Sequence, residues 1–288
     1  MCKIKRIAVY GSRRQEPGAT GLRELILGFV MDNIRVYIHE KLFDHLTREL
    51  GMSISGTERV FDCPEEVDAI LSIGGDGTFL RTVAWSQNVK APILGINTGH
   101  LGYLTAISLE QALAHPEVIT ELDFRHEHLS MLCTEVDGII GSPLALNEVV
   151  IAKEDSASML TVSAYVNGEL LADYKADGLI IATPTGSTAY NLSVGGPIVE
   201  PTAPVWVLSP IAAHSLTLRP IIVGDHSKLE IKVSGRGSRF RLVLDGRATS
   251  MPLTSPVTIH RAQHRVDVLQ CRDRSFARII NDKLRFNG

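Results

Sequence analysis

The stretch Leu71-Ser-Ile-Gly-Gly-Asp-Gly-Thr-Phe-Leu80 constrains this chain more than any other. Ala69 to Ile73 is a short apolar run of the kind found in parallel-sheet strands, and from Thr78 onward Phe79, Leu80, Val83 and Ala84 recur at helical spacing. Between them Gly74, Gly75 and Gly77 lack a Cβ, so the backbone is free to take positive φ and to point N–H groups at anionic oxygens near a helix N-terminus. A junction of this kind holds phosphate. Asp76 is the odd member, because a carboxylate repels phosphate. Its presence points to a second job, either accepting a proton from an attacking hydroxyl or holding Mg²⁺ against a polyphosphate. The competing reading is a glycine turn whose aspartate helps to cap the next helix.

The rest of the chain has two styles. From residue 1 to 122, short apolar runs alternate with amphipathic stretches: Ile7 to Tyr10, Leu22 to Val30, Ile34 to Ile38, Leu42 to Leu50, and then Pro92 to Ile96, which runs into the polar turn Asn97 to Gly102. This βαβα rhythm predicts a parallel sheet covered by helices. Ser108 followed by Gln111 is a capping box for one more short helix. After Arg125 the period changes to two. Leu160, Val162, Ala164 and Val166 share a face before the hairpin dipeptide Asn167-Gly168, and Leu229, Ile231 and Val233 alternate before the loop Ser234 to Ser238, with Phe240, Leu242 and Leu244 alternating after it. The expected organisation is therefore an α/β domain over 1–122 and a mainly antiparallel β domain over 123–269. The tail 270–288, helical in spacing from Ser275 to Phe286, is expected to pack back on the first domain.

Length and composition bound the function. A chain of 288 residues is long enough for two domains. Its 29 basic and 32 acidic residues leave a net charge of −3, which argues against a nucleic-acid surface or a basic membrane anchor. No apolar run is long enough to span a bilayer. The apolar run near the N-terminus stops at Gly11 without a cleavage region, so Met1 to Tyr10 reads as a first strand rather than a leader. Cys2, Cys63, Cys133 and Cys271 lie far apart with no C-x-x-C pair, the pattern of reduced thiols in a cytoplasmic protein rather than of a zinc ribbon. No P-loop signature occurs.

A second motif narrows the chemistry. The run from Asp177 to Gly196 reads as a strand, a hydroxyl-rich turn and a helix beginning near Ser187. Thr185, Ser187 and Thr188 supply hydroxyls, Gly186 admits close backbone approach, and Tyr190 and Asn191 offer an aromatic face and an amide to a nucleotide. A plain loop would also carry Pro-Thr-Gly-Ser. Asn147-Glu148, within Leu144 to Ile151, places an amide beside a carboxylate at a strand break, a pair suited to the two hydroxyls of a ribose or to a solvated strand edge.

With these residues in place the chain resembles the NAD kinase family. Gly74-Gly-Asp-Gly-Thr78, Asn147-Glu148, Asp177-Gly178, Thr183-Pro-Thr-Gly-Ser-Thr-Ala-Tyr190 and Pro210-Ile-Ala-Ala-His-Ser-Leu-Thr-Leu-Arg-Pro220 follow the family's order and spacing. The resemblance implies a Rossmann-like α/β domain followed by an antiparallel β-sandwich that binds NAD, with the active site in the crevice between them. It implies Mg²⁺-dependent transfer of phosphate from ATP to the adenosine-ribose 2′-hydroxyl of NAD⁺, giving NADP⁺ and ADP. Asp76 matches the general base, and Gly74, Gly75, Gly77 and Thr78 the phosphate loop. Asn147, Glu148, Lys175 and Asp177 match nucleotide-binding positions, Asp177 contacting the nicotinamide amide or reaching across a dimer. Thr188, Ala189, Tyr190, Asn191, Leu192 and Ser193 match the loop around the adenine-ribose end. Arg81, one turn into the helix, steers a phosphate or is a solvated helix arginine. His214 lies in a matched stretch and is equally a structural residue. Asp245-Gly-Arg247 departs from the family turn, in which glutamine often follows the glycine. His100, His126 and His128 form no convincing metal set. The resemblance also implies a homodimer or homotetramer. Two alternatives stand beside this reading: a lipid kinase of the diacylglycerol or sphingosine type, and a non-catalytic NAD(H)-sensing protein.

Overall fold

The computed structural model describes residues 4–11, 18–99, 102–154 and 159–284, so Cys2, His100 and the last residues of the tail, Phe286 among them, lie outside the described residues. The chain divides into two compact units, residues 1–128 with 266–288, and residues 129–265. Both junctions differ from the expected 122/123 and 269/270. The reason is pairing: the strand Val266–Gln270, expected in the β domain, hydrogen-bonds in parallel to Ile93–Asn97, with Val268 opposite Ile93 and Leu269 opposite Leu94. The strand Arg125–Leu129 lies beside it at the sheet edge.

The first unit is a sheet in the order Thr57–Val60, Arg35–His39, Arg6–Gly11, Ala69–Ile73, Ile93–Asn97, Val266–Gln270, Arg125–Leu129. The first five strands run parallel. The three central strands, Arg6–Gly11, Ala69–Ile73 and Ile93–Asn97, are almost wholly buried, which is why they read as continuous apolar segments rather than as alternation. Leu22, Leu25, Ile26 and Phe29, spaced i, i+3, i+4, i+7 on helix Ala19–Met31, join Ile7, Val9, Leu71, Ile73, Leu94 and Ile96 in one core. The expected helix Leu42 to Leu50 is broken: Glu40–Asp44 is α-helical, and His45–Glu49 continues as a single π turn. The Ser108 capping box on helix Leu109–Ala114 is present in both directions. The strand order reverses between Arg6–Gly11 and Ala69–Ile73, and in open parallel sheets ligands bind at the carboxyl ends of the strands beside such a reversal. That is where Gly74 to Thr78 lies.

The second unit is two antiparallel six-stranded sheets. One runs Ile221–Gly224, Val205–Ile211, Gly178–Ala182, Glu148–Lys153, Arg239–Leu244, Arg247–Pro252. The other runs Glu169–Ala176, Leu160–Val166, Leu229–Gly235, Val257–Arg261, Leu132–Glu135, Leu144–Ala145. Period-two alternation puts Val149, Ile151, Leu179, Ile181, Trp206 and Leu208 into one core with Val162, Ala164, Ile231 and Ile259. Asn167 and Gly168 both have positive φ, 52° and 88°, the pattern of the type I′ turn their sequence predicts. The first sheet is buried on its second face too, where Val150, Ile180, Ala182 and Val207 pack with Val194 and Val199. This explains the uninterrupted apolar run Gly178–Ala182.

Helix Asp76–Trp85 is pinned to its sheet by Phe79, which is fully buried and lies against Gly95. Phe79→Ala is expected to destabilise the protein by about 3–5 kcal/mol. Urea unfolding should show this as a lower midpoint with an unchanged slope; a shift below about 1 kcal/mol would mean that the helix is held from elsewhere.

Candidate active site

In the first unit the glycine turn distributes its work unevenly. The N–H of Gly74 donates to Ile96 O at 2.8 Å and so continues the sheet rather than facing a ligand. Its φ is +142°, and a Cβ there would come within 2.6 Å of Thr78 Oγ1. Gly74 is glycine to make room for the buried Thr78 hydroxyl. Gly75 and Gly77, by contrast, are exposed at the helix start, and a Cβ on either would meet no heavy atom closer than the 3.9 Å of Arg81 Nη1. They present open backbone at the positive end of a ten-residue helix. Arg81 is exposed on the same helix, donates to Thr78 Oγ1 at 3.1 Å and hydrogen-bonds the Tyr10 phenol.

Asp76 does not spend its carboxylate on capping its own helix. Oδ2 accepts from Tyr103 N–H at 2.9 Å and Oδ1 from Leu104 N–H at 3.0 Å, 27 and 28 residues further along. Gly102 lies so close that a Cβ would sit 1.9 Å from Asp76 Oδ1. Each carboxylate oxygen keeps a lone pair for a proton after accepting one bond. Burial, and then the Asp76 charge, push the Tyr103 phenol above its ordinary value. Burial pulls the Arg274 guanidinium down, with Asp76 the first of several charges opposing that. Sequence reasoning misses both Tyr103 and Arg274; Gly102-Tyr103 after the strand Ile93–Asn97 was the available signal for one, and nothing local marks the other.

In the second unit the strand break falls where expected, between Leu144–Ala145 and Glu148–Lys153. Its loose N–H groups end on one side chain: Asp245 accepts from Leu146 N at 2.7 Å, Asn147 N at 2.9 Å and Glu148 N at 3.1 Å. Arg247 secures the other flank, donating to the carbonyls of Leu244 and Leu144. The departure from glutamine at that position is therefore a backbone clamp. The hydroxyl-rich turn sits on the same break, since Thr183 N–H donates to Asn147 O at 2.8 Å and a Cβ on Gly186 would meet that oxygen at 2.0 Å. The helix expected from Ser187 begins later: Thr185–Thr188 is a 3-10 turn and Tyr190–Ser193 a single α turn.

Three polar atoms here are shut from solvent and meet no partner among the described residues: Asn147 Oδ1, Glu148 Oε2 and Thr185 Oγ1. Buried groups of this kind are costly unless something fills them. The Glu148 carboxyl is pushed up to about 7, first by burial and then by the Asp245 charge, against a bond from Tyr190 N–H. Asn191 behaves otherwise. Its amide is fully buried and committed, donating to Ser187 O and Pro197 O, both at 3.1 Å, and accepting from Ser209 Oγ at 2.6 Å. Ser187 Oγ is likewise turned inward to Val199. Thr188, Ala189 and Leu192 are half-buried, and Tyr190 and Ser193 are exposed. Asp177 is paired with Lys153 at 2.8 Å, while Lys175 is exposed and its carbonyl accepts from His214 N–H at 2.9 Å. His214 is exposed; His126 pairs with Asp267 at 2.9 Å, which also lies 3.8 Å from His128.

The raised Glu148 carboxyl makes a signed prediction. Its folded value lies above the ordinary 4.5, so the folded chain keeps a proton that the unfolded chain has lost. Its contribution to stability therefore falls as pH rises from about 4.5 to about 7 and is constant above that, a total of about 3 kcal/mol. Glu148→Gln should be more stable than the parent by under about 1 kcal/mol near pH 5 and by about 3 kcal/mol near pH 8. Urea titrations at a series of pH values check this; a difference that does not vary with pH would show that the carboxyl is not held protonated.

Residues 21–122 match the family model of the ATP-NAD kinase N-terminal domain, and residues 146–271 that of the ATP-NAD kinase C-terminal domain. Proteins named NAD kinase from Porphyromonas gingivalis and Flavobacterium psychrophilum are 38% and 35% identical; the alignments cover 98% of this chain and of the first relative, and 97% of this chain and of the second. Among solved structures, an NAD kinase from Archaeoglobus fulgidus in complex with ATP has a TM-score of 0.71 at 28% identity, covering 95% of this chain and 98% of that one. Yeast NADH kinase complexed with NADH shares the fold, with a TM-score of 0.88 at 21% identity over 99% of this chain and 89% of that one. The chain belongs to the NAD kinase family.

Proposed function

We propose that this enzyme transfers the γ-phosphoryl group of ATP to the 2′-hydroxyl of the adenosine ribose of NAD⁺, with Asp76 as general base. The observation that carries the acceptor side is the trio Asn147 Oδ1, Glu148 Oε2 and Thr185 Oγ1, buried and without partners among the described residues. An amide oxygen, a carboxyl and a hydroxyl suit the hydroxyls of a ribose. Tyr190, exposed beside Glu148, offers a ring face to the base, and Thr188, Ala189, Leu192 and Ser193 line the same turn. Asn191 contributes by holding this turn in shape rather than by touching the nucleotide. On the donor side, the open backbone of Gly75 and Gly77 at the helix N-terminus and the exposed Arg81 suit a polyphosphate; Mg²⁺ arrives bound to that triphosphate, as this cation prefers. Lys175 and Asp177 are assigned to the nicotinamide end.

Phosphoryl transfer is loose, so holding the hydroxyl in line with the phosphorus counts for more than early deprotonation. The two N–H bonds to Asp76 fix its carboxylate for that role. No helix among the described residues is long and apolar enough to cross a membrane, and a cytoplasmic homodimer or homotetramer is the state we assign.

Asp76→Asn removes the charge, and its amide can accept from only one of the two N–H groups, so stability must be measured alongside activity. We expect kcat to fall about 10²- to 10⁴-fold with NAD⁺ affinity largely kept. NADP⁺ formation, NAD⁺ binding and thermal unfolding on one preparation decide the matter. Near-normal kcat would remove Asp76 as the base, and folded protein that binds NAD⁺ yet yields no NADP⁺ with any donor would remove the kinase reading. Activity that falls on dilution, followed together with sedimentation, is expected if subunits cooperate; a fully active monomer would contradict the oligomer.

A further inference from the structure

We propose that Arg274 is a positioning residue for Asp76: its guanidinium fastens the loop 102–105 whose N–H groups aim the carboxylate. The inference rests on reading Asp76 as the base. Arg274 comes from the returning tail, far from the glycine turn in sequence, yet only 8% of it is exposed. Its guanidinium donates to the Gly102 carbonyl at 2.8 Å and to the Thr105 carbonyl. The same short loop gives its Tyr103 and Leu104 N–H groups to Asp76. The Gly102–Tyr103 peptide therefore lies between a buried cation at its carbonyl and a carboxylate at its N–H, while the Thr105 carbonyl belongs to a peptide whose Ala106 N–H donates to Gly95 O at 2.8 Å and ties the loop's far end to the sheet. Each charge orients the one dipole they share.

The rest of the surroundings stiffen this bridge. Thr105 Oγ1 accepts from Gly102 N–H at 2.7 Å, closing the loop on itself. Gly95 beneath it has no side chain, and a Cβ there would be 2.8 Å from both Leu104 O and Thr105 Cα. Arg274 is held from behind, since its N–H donates to Cys271 O at 3.1 Å and its carbonyl accepts from Arg125 at 3.3 Å. Two carbonyls a few residues apart demand a planar fork, which arginine has and lysine lacks. An arginine serving only to anchor the tail would have no need to reach the two carbonyls that flank the N–H groups on Asp76.

The test uses the full chain carrying Arg274→Lys and, separately, Arg274→Met, each in the parent and in Asp76→Asn. In the parent, kcat is expected to fall about 10- to 100-fold, the scale of a misplaced catalytic group, with KM for NAD⁺ and ATP within about twofold. Amide exchange followed by NMR should quicken at Tyr103 and Leu104 while the strand Ile93–Asn97 stays protected. In Asp76→Asn the same substitution should cost less than about threefold more, because residues acting as a unit are not additive. Unchanged kcat in a folded variant, unchanged exchange at Tyr103 and Leu104, or an equal fold-loss in both backgrounds would each overturn the proposal. If Arg274→Met does not fold, the lysine variant carries the same three readings. Should Asp76→Asn alone retain normal kcat, the base assignment fails, and amide exchange still judges the clamp by itself.

Discussion

Three successive backbone N–H groups, those of Leu146, Asn147 and Glu148, converge on the carboxylate of Asp245, and the strand break with the hydroxyl-rich turn of the second unit hangs from that convergence. A break in a strand strands its donors, and each buried donor left alone costs about 1–3 kcal/mol. Asp245 meets all three, and its own N–H returns to Glu148 O at 3.2 Å. Once the break is held, Asn147 can stand out of the ladder with its carbonyl receiving Thr183, and the hydroxyl-rich turn has a fixed base. The arrangement is expensive. Burial pushes Asp245 up despite its three N–H partners, and its charge in turn raises Glu148.

The first unit uses the same device for a different end. Asp76 also organises a loop by accepting backbone N–H groups, but it takes two of them at a helix start beside exposed glycines, whereas Asp245 takes three in succession at a strand break. A carboxylate committed to three N–H groups shapes the chain. One held by two bonds with open backbone beside it is fixed in direction, the preorganisation on which the base proposed for Asp76 would draw. The two aspartates each sit next to a glycine, and only their surroundings separate their roles.

Most of the fold was legible because its causes are local. Continuous apolar runs marked the two-faced parallel strands, alternation marked the sandwich, and Asn167-Gly168 and the Ser108 box named their own turn and cap. What escaped depended on partners distant in sequence. Val266–Gln270 looks like any β-domain strand until Ile93–Asn97 is known to be its neighbour. The bonds of the Asn191 amide were likewise hidden, since they come from Ser209, Pro197 and Ser187 and not from its near neighbours in a strand or helix ladder. The glycine turn was recognisable as a turn, but only the sheet bond from Gly74 and the room needed by Thr78 separate its structural glycine from the two open ones. Arg274 had no legible signal at all, since its meaning lies in two carbonyls on another segment.

The backbone contacts around Gly186 and Gly178 carry a consequence for how such a protein can drift. A Cβ on Gly186 would lie 2.0 Å from Asn147 O, and one on Gly178 2.3 Å from Ile151 O. The opposing atoms are main chain, so no second mutation elsewhere can trim them to restore clearance. Where a bulky side chain crowds a neighbour, a compensating change offers lineages a way through; here there is none. Variation in this turn is thereby channelled to exposed side chains such as Tyr190 and Ser193, over a floor that is inherited unaltered or lost.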